Sequence, residues 1–448
     1  MRYVLGFISV LALACSSGSG SFEVAPIELT KVVEETRTGY RFIHYIAKQP
    51  AFRDRASGDY VEQRVYVGVS DGVETDAPVL FQLGQEAPID EGFVANGSAI
   101  AGRPVIAVHV EHRGYGQSLS SAEDQTIPAY VSRREAVEDF HEVASALQET
   151  YTGPWFALGV SYVGGVVLQY AAKYPDDVAG VKSISGVVDL PIANTAYDPF
   201  TRDRLGEEPY AAGVNHMKNL EPIELFDSNW VDREFLEGIV VGITQYEEYE
   251  ALVPAIANMM MTQTTEELIT DLRALDQVAA NGDGAKYGSH RALTSLSRVE
   301  ALQMQPSWRY YLWQQCTDIG TFFASDGDGI YQRDEEDWDA ECRGLFGVGL
   351  VREHVGHRQA VVAMENAGVP LVFMSGGKDP WLPVGLEVPP ESELIDQQER
   401  WSEYETGYGG YFHSPEGFHC PPCSDPELVT ASWESLFELA GLEAGTVE

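Results

Sequence analysis

The sequence predicts an α/β fold: a doubly wound, mostly parallel sheet with helices on both faces and a helical cap inserted before its last strands. Three observations carry this. Short apolar strands alternate with amphipathic helices through the first 186 residues. The run Leu158-Gly159-Val160-Ser161-Tyr162-Val163-Gly164-Gly165 sets a serine on a turn between a strand and a helix. Strand character then disappears between about Asp189 and Gly347 and returns at 370–377.

Taken in order, Arg2 precedes an apolar run from Tyr3 to Ala14, then Cys15 and the flexible Ser16-Ser17-Gly18-Ser19-Gly20-Ser21. The run is too short to span a bilayer, so 1–15 reads as a signal peptide of lipoprotein type, with Cys15 as the lipidated residue. Ordinary signal cleavage is the alternative, because Ala12 rather than leucine stands three before the cysteine. Either way the protein is expected to be exported, tethered to a bacterial membrane by the lipid or else periplasmic or extracellular. Residues 16–35 read as a tether.

The core then runs over 36–188. Residues 64–69 alternate like a strand, 78–83 form a fuller apolar strand ending at Gly84-Gln85-Glu86, and 104–110 form a third. A helix is expected over 133–151, with Ala136, Phe140, Val143, Ala144 and Leu147 at helical spacing. The strand before Ser161 follows the turn at Gly153-Pro154, and the helix after it stops at Pro175. Another strand occupies 181–186. The cap is placed at 189–347, with helical segments at 216–226, 231–262, 265–280 and 290–316. Met259-Met260-Met261 is expected to pack within it. The core resumes over 348–448 with the strand at 370–377, a loop at 415–420 and a closing helix near 427–440.

Sixty-nine acidic against 29 basic residues give a formal charge of −40. Such a surface repels nucleic acid and anionic membranes, which sets aside nucleic-acid binding and leaves the lipid as the expected membrane contact. Export permits disulfides. Without Cys15 four cysteines remain, Cys316, Cys342, Cys420 and Cys423, with three possible connectivities. A zinc site built on Cys420-Pro421-Pro422-Cys423 lacks a second ligand pair, and Asp326-Gly327-Asp328-Gly329 lacks the glycine and distal glutamate of an EF-hand. No metal and no cofactor are expected. The oligomeric state is not legible.

A serine lifted above a sheet on a tight strand-to-helix turn is the nucleophile elbow of α/β-hydrolases. The N–H of Tyr162, with Gly84 on the loop after an earlier strand, is expected to form the oxyanion hole. The turn calls for small residues two before and two after the serine, and Val163 departs from this. The triad partners follow in the order acid, base. Asp379 lies just past a strand end and His419 on a later loop, with His413 as the alternative base. In this scheme His419 takes the Ser161 proton and Asp379 fixes its tautomer.

Glu111-His112-Arg113-Gly114-Tyr115-Gly116-Gln117-Ser118 resembles the E-H-R-x-x-G-x-S segment of the prolyl carboxypeptidase and dipeptidyl-peptidase family, and of the related bacterial tripeptidyl aminopeptidases. Residues 134–141 resemble the helix that follows in those enzymes, and Tyr174-Pro175-Asp176-Asp177-Val178 is nearest the tripeptidyl aminopeptidases. Trp313-Gln314-Gln315-Cys316-Thr317-Asp318-Ile319-Gly320 is similar to a W-x-Q-x-C-T-E-x-G segment, with Asp318 where that family has glutamate. Asp379-Pro380-Trp381 and Gly417-Phe418-His419-Cys420 look like the segments of its acid and base. The resemblance implies a serine exopeptidase acting on peptide substrates. An N-terminal ammonium needs carboxylate receivers, for which Glu86 and Asp318 are the candidates. Cys316–Cys342 and Cys420–Cys423 are the expected bridges. A lipase or esterase on the same fold, a carboxypeptidase, and a noncatalytic tethered binding protein are the rival readings.

Overall fold

The computed structural model describes residues 27–54, 58–86, 88–89, 91–121, 128–187, 193–194, 197–220, 232–233, 235–237, 247–281, 306–320, 322–323, 329–330, 334–351, 357–377, 379, 409–414 and 426–442. Cys15, His419, Cys420, Cys423 and the Asp326–Asp328 loop lie outside these residues. Among the described residues no helix is long and apolar enough to cross a membrane.

A nine-stranded sheet organises the chain: β1 (Glu28–Arg37), β2 (Tyr40–Pro50), β3 (Tyr60–Ser70), β4 (Val79–Leu83), β5 (Ile106–Val110), β6 (Trp155–Val160), β7 (Gly180–Ile184), β10 (Leu371–Gly376) and β11 (Gly409–Ser414). Its order is β1-β2-β3-β5-β4-β6-β7-β10-β11, antiparallel from β1 to β5 and parallel from there on. This is the doubly wound, mostly parallel sheet of the α/β-hydrolase fold. β4, β5, β6, β7 and β10 read as near-continuous buried runs because helices cover both faces.

On one face lie α2 (Arg133–Gln148), α3 (Tyr162–Lys173) and α10 (His357–Ala367). Their Phe140, Val143, Val166, Val167 and Met364 join Phe81, Val108 and Val181 in one core. α1 (Glu91–Ala101) and the closing α11 (Pro426–Leu439) cover the other face, where Trp433, Leu436 and Phe437 pack on Leu80, Phe156 and Val372. Ser132 caps α2 by accepting from Glu135 N at 3.2 Å. The stripe Ala136, Phe140, Val143, Ala144 and Leu147 is fully buried, as its spacing predicts.

Two strands precede those legible in the sequence. β1 begins at Glu28, inside the stretch expected to be a tether, and is mostly polar and exposed, so it lacks an apolar alternation. A bulge between Lys31 and Val33 further breaks its period.

Between β7 and β10 the described elements are helices and one pair of two-residue strands, β8 (Ala193–Asn194) with β9 (Phe322–Phe323). α4 (Tyr197–Leu205), α5 (Glu207–Asn219), α6 (Val253–Thr262) and α7 (Thr265–Asn281) form a core of their own around Tyr210, Met217, Ile256, Met260 and Leu268. Met260 is in that core, while Met261 is exposed. α8 (Pro306–Gln314) continues into a π-helical turn at Gln315–Ile319, and a disulfide ties Cys316 to Cys342 on α9 (Glu335–Phe346). Closing a loop of 26 positions, this bridge constrains the unfolded chain by about 3.5 kcal/mol on the chain-entropy model.

Candidate active site

Ser161 sits between β6 and α3 with φ 56° and ψ −126°. Ser161 and Ser185 are the non-glycine residues with positive φ among those described. Such a conformation costs on the order of 1–3 kcal/mol and persists only where packing imposes it. Here the Ser161 N–H donates to the Ile184 carbonyl at 2.9 Å, and Gly164 N–H donates back to the Ser161 carbonyl at 2.9 Å.

Backbone contacts explain the glycines and admit the valine. A Cβ on Gly159 would lie 2.1 Å from the Val163 carbonyl oxygen, and one on Gly164 would lie 2.6 Å from Gly186 Cα. The crowded position after the serine is therefore 164, three residues on, rather than 163 as the usual pattern suggests. Val163 turns its side chain into the core and is fully buried. The elbow conformation survives the departure.

The parallel register sets Ser161 and Asp379 on one edge. Val160 pairs with Ile184, Ile184 with Met374, and Met374 with Phe412, so the C-terminal ends of β6, β7, β10 and β11 line up. Ligands bind at that edge in open α/β sheets. Ser161 follows β6 directly, and the buried Asp379 follows β10 in a turn closed by Asp379 N–H to the Gly376 carbonyl at 3.2 Å. With β7 between them, the two strands stand roughly 10 Å apart, a distance that two side chains and an imidazole would span. His413 pairs with Ser375 inside β11, whereas His419 would follow that strand's end.

Tyr162 is the first residue of α3, so its N–H precedes the first intrahelical bond of that helix. Gly84 packs its backbone against the next strand end: a Cβ there would lie 2.4 Å from the Val110 carbonyl oxygen. That close approach brings the β4 loop beside the β5 loop.

The β5 loop is held by buried charge. Glu111 accepts from Ser118 Oγ at 2.5 Å, Gln117 N at 3.0 Å and Ile89 N at 3.2 Å, and burial still raises its carboxyl above the ordinary value. Gly116, at φ 54°, leaves room for that carboxylate, since a Cβ would fall 1.9 Å from Glu111 Oε1. Arg113 satisfies all five guanidinium donors. Asp139 receives two of them at 2.6 Å, and the carbonyls of Ala51, Tyr130 and Pro50 receive the others at 2.9, 3.1 and 3.1 Å. The Glu-His-Arg segment is thus a clamp that shapes the loop beside the elbow. His112 is buried among Tyr115, Phe140 and Tyr162, and burial lowers its pKa to about 4, so it is neutral at pH 7.

A hydrogen-bonded bridge crosses from this loop to the end of α8. The Tyr115 hydroxyl donates to Gln314 Oε1, and Gln314 Nε2 donates to the Tyr162 hydroxyl at 3.0 Å. Burial pushes both phenols far above their ordinary pKa, and the Glu86 and Asp318 carboxylates push the same way. The two predicted ammonium receivers therefore lie within electrostatic range of the residue that follows Ser161. Asp318 is also engaged: Oδ2 accepts from Arg133 N, and Oδ1 lies 3.5 Å from Arg133 Nη2. Burial raises its carboxyl although Arg133 pulls it down. Arg133, Tyr115 and Gln314 lay in or beside recognised motifs, yet nothing in the sequence assigned them these contacts. His357, 192 residues beyond Gly165, packs its ring where a Cβ of that glycine would be 2.3 Å away.

The profile of the serine carboxypeptidase S28 family matches residues 48–216, from β2 into α5. That stretch holds the Arg113 clamp and the elbow, and the sequence resemblance to this class holds there. No curated protein matches the chain. Solved structures similar to it include a proline iminopeptidase from Mycobacterium smegmatis, at 14% identity over 88% of this chain and 98% of that one, with a TM-score of 0.42. A peroxisomal alpha-beta-hydrolase from Saccharomyces cerevisiae is 11% identical over 92% and 93%, with a TM-score of 0.40. A proline iminopeptidase-related protein from Thermus thermophilus is 14% identical over 91% and 99%, with a TM-score of 0.36. Elbow, clamp and the family match over 48–216 together support a serine hydrolase or peptidase.

Proposed function

We propose that the protein is an exported serine exopeptidase that releases short peptides from N-termini, tripeptides in preference to dipeptides. Ser161 attacks the scissile carbonyl while His419 takes its proton. Asp379 holds the imidazole in the right tautomer and stabilises the imidazolium. The Tyr162 N–H, at the positive end of α3, and the Gly84 loop receive the oxyanion. His419 then protonates the leaving amine, and water releases the acyl group from Ser161 by the reverse path. The export reading rests on the apolar run and Cys15, with lipidation there as the expected anchor.

The observation that carries the N-terminal direction is the pair of carboxylates, Glu86 and Asp318, acting together on Tyr162 beside the nucleophile. Both oxygens of Asp318 already meet Arg133, so Asp318 acts on a substrate ammonium as a longer-range attraction beside Glu86. At about 4 Å an ammonium–carboxylate pair is worth a few kcal/mol at intermediate dielectric before desolvation.

A second reading has one observation behind it. Arg133 Nη1 is buried without a hydrogen-bond partner among the described residues, and a substrate's C-terminal carboxylate would satisfy it. One experiment separates the two. With a peptide series carrying N-acetyl or C-amide groups, acetylation abolishes cleavage and amidation leaves it intact if the ammonium is the anchor. The opposite pattern makes the enzyme a carboxypeptidase anchored at Arg133.

A further inference from the structure

We propose that the outer edge of β1 is a self-complementary interface through which two copies of this chain join their sheets about a two-fold axis. β1 ends the strand order, and among the described residues nothing pairs with its outer edge. It is ten residues long and exposed along most of its length. Val32 and Val33 at its centre are 50% and 39% exposed, two of the four exposed large hydrophobics among the described residues. A long edge strand with apolar residues at its middle is a template for another strand.

The order of its side chains selects the occupant. About the midpoint between Val32 and Val33, Glu28 falls opposite Arg37 and Lys31 opposite Glu34 in an antiparallel pairing of the strand with itself. Leu29 meets Thr36, Thr30 meets Glu35, and the valines meet each other. Each opposed charge thus finds its opposite, and the two-fold makes every such pair twice.

In a regular strand this pairing is impossible, because residues separated by an odd number of positions point to opposite faces. The bulge removes that obstacle. Leu29 and Lys31 oppose Ala47 and Tyr45, and beyond the bulge Glu34 and Thr36 oppose Ile43 and Arg41, so these four share a face. Glu28, Thr30, Val33, Glu35 and Arg37 oppose Lys48, Ile46, His44, Phe42 and Tyr40 on the other face. Lys31 therefore shares a face with Glu34, and Glu28 with Arg37. A two-fold axis perpendicular to the sheet keeps each face, so like meets like.

Electrostatics favour the same surface. The chain carries −40, and two copies repel over most of their area. β1 has three acids, Glu28, Glu34 and Glu35, against two bases, Lys31 and Arg37, and is close to neutral. In the single chain Lys31 pairs with Glu34 along its own strand, and Arg37 with Glu35 and Glu91. The two copies would exchange the first of these for its cross-strand equivalent.

Sedimentation velocity on the full chain tests this, with wild type, Lys31→Glu and the swap Lys31→Glu with Glu34→Lys compared across a concentration series. The wild type is expected to dimerise, and Lys31→Glu to raise the dimer dissociation constant about tenfold through two like-charge contacts. The swap should restore it, because each cross-strand pair regains opposite signs. Peptide cleavage per chain should be equal in all three, since β1 lies at the far edge from β6. A monomeric wild type, a dimer indifferent to Lys31→Glu, or a loss that the swap does not repair would each overturn the proposal.

Discussion

Gln314 joins α8 to the turn at Ser161: its Nε2 donates to the hydroxyl of Tyr162, the residue after Ser161, at 3.0 Å. Its Oε1 accepts from Tyr115 on the β5 loop. One amide therefore spans two catalytic-side segments and stands two residues from the Cys316–Cys342 bridge.

Gln314→Leu keeps the volume and strands two buried hydroxyls, each costing about 1–3 kcal/mol if left unsatisfied. The expected result is a melting temperature several degrees lower and a kcat reduced about tenfold, with KM changed less. Thermal unfolding and steady-state kinetics on one peptide substrate check it. Equal kcat with a lowered melting point would confine Gln314 to stability.

Asp139 is fully buried and receives Arg113 at 2.6 Å through both oxygens, and Arg53 at 2.8 Å. Asp139→Ala leaves the buried Arg113 guanidinium with the more distant Glu135 carboxylate at 3.7 Å in place of its two short bonds, a loss of up to about 3–5 kcal/mol. Denaturant unfolding should show that loss. Replacing both partners, as in Arg113→Met with Asp139→Leu, should recover part of it.

Lys182 in β7 is buried with neutral partners: Ser432 Oγ at 2.5 Å, the Val429 carbonyl at 3.2 Å and the Trp433 ring at 4.5 Å. The carbonyl and ring favour the ammonium, yet burial dominates and lowers its pKa well below the ordinary 10.5. Between the folded value and 10.5 the unfolded chain binds a proton that the folded chain does not, so stability falls as pH drops through that window. Lys182→Met removes this effect. Its melting-temperature advantage over wild type should be greatest at the acid end of the window and shrink as pH approaches 10.5. A difference independent of pH would show that Lys182 does not titrate on unfolding.

Local signals made the centre of the fold legible and long-range ones did not. Ser161 was readable because the elbow needs Gly159 two before it and a helix directly after it. Asp379 was singled out because it follows an apolar strand, and the structure places it, buried, three residues past the end of β10. The Glu111–Ser118 segment stood out as a motif, but its meaning lies in Arg113 meeting Asp139 on another element, which no spacing reveals. Asp318 was singled out as an ammonium receiver, while its contact with Arg133 spans 185 residues of sequence. β1 stayed hidden because a bulge and a polar composition erase the two-residue period.

In the proposed mechanism Ser161 is the covalent nucleophile of a peptidase. A fluorophosphonate probe followed by peptide mapping tests it most directly. The expected result is one adduct on Ser161, loss of peptide cleavage in step with labelling, and neither labelling nor turnover above about one part in 10⁴ in a folded Ser161→Ala variant. An adduct on another serine, or cleavage undiminished in Ser161→Ala, would contradict it.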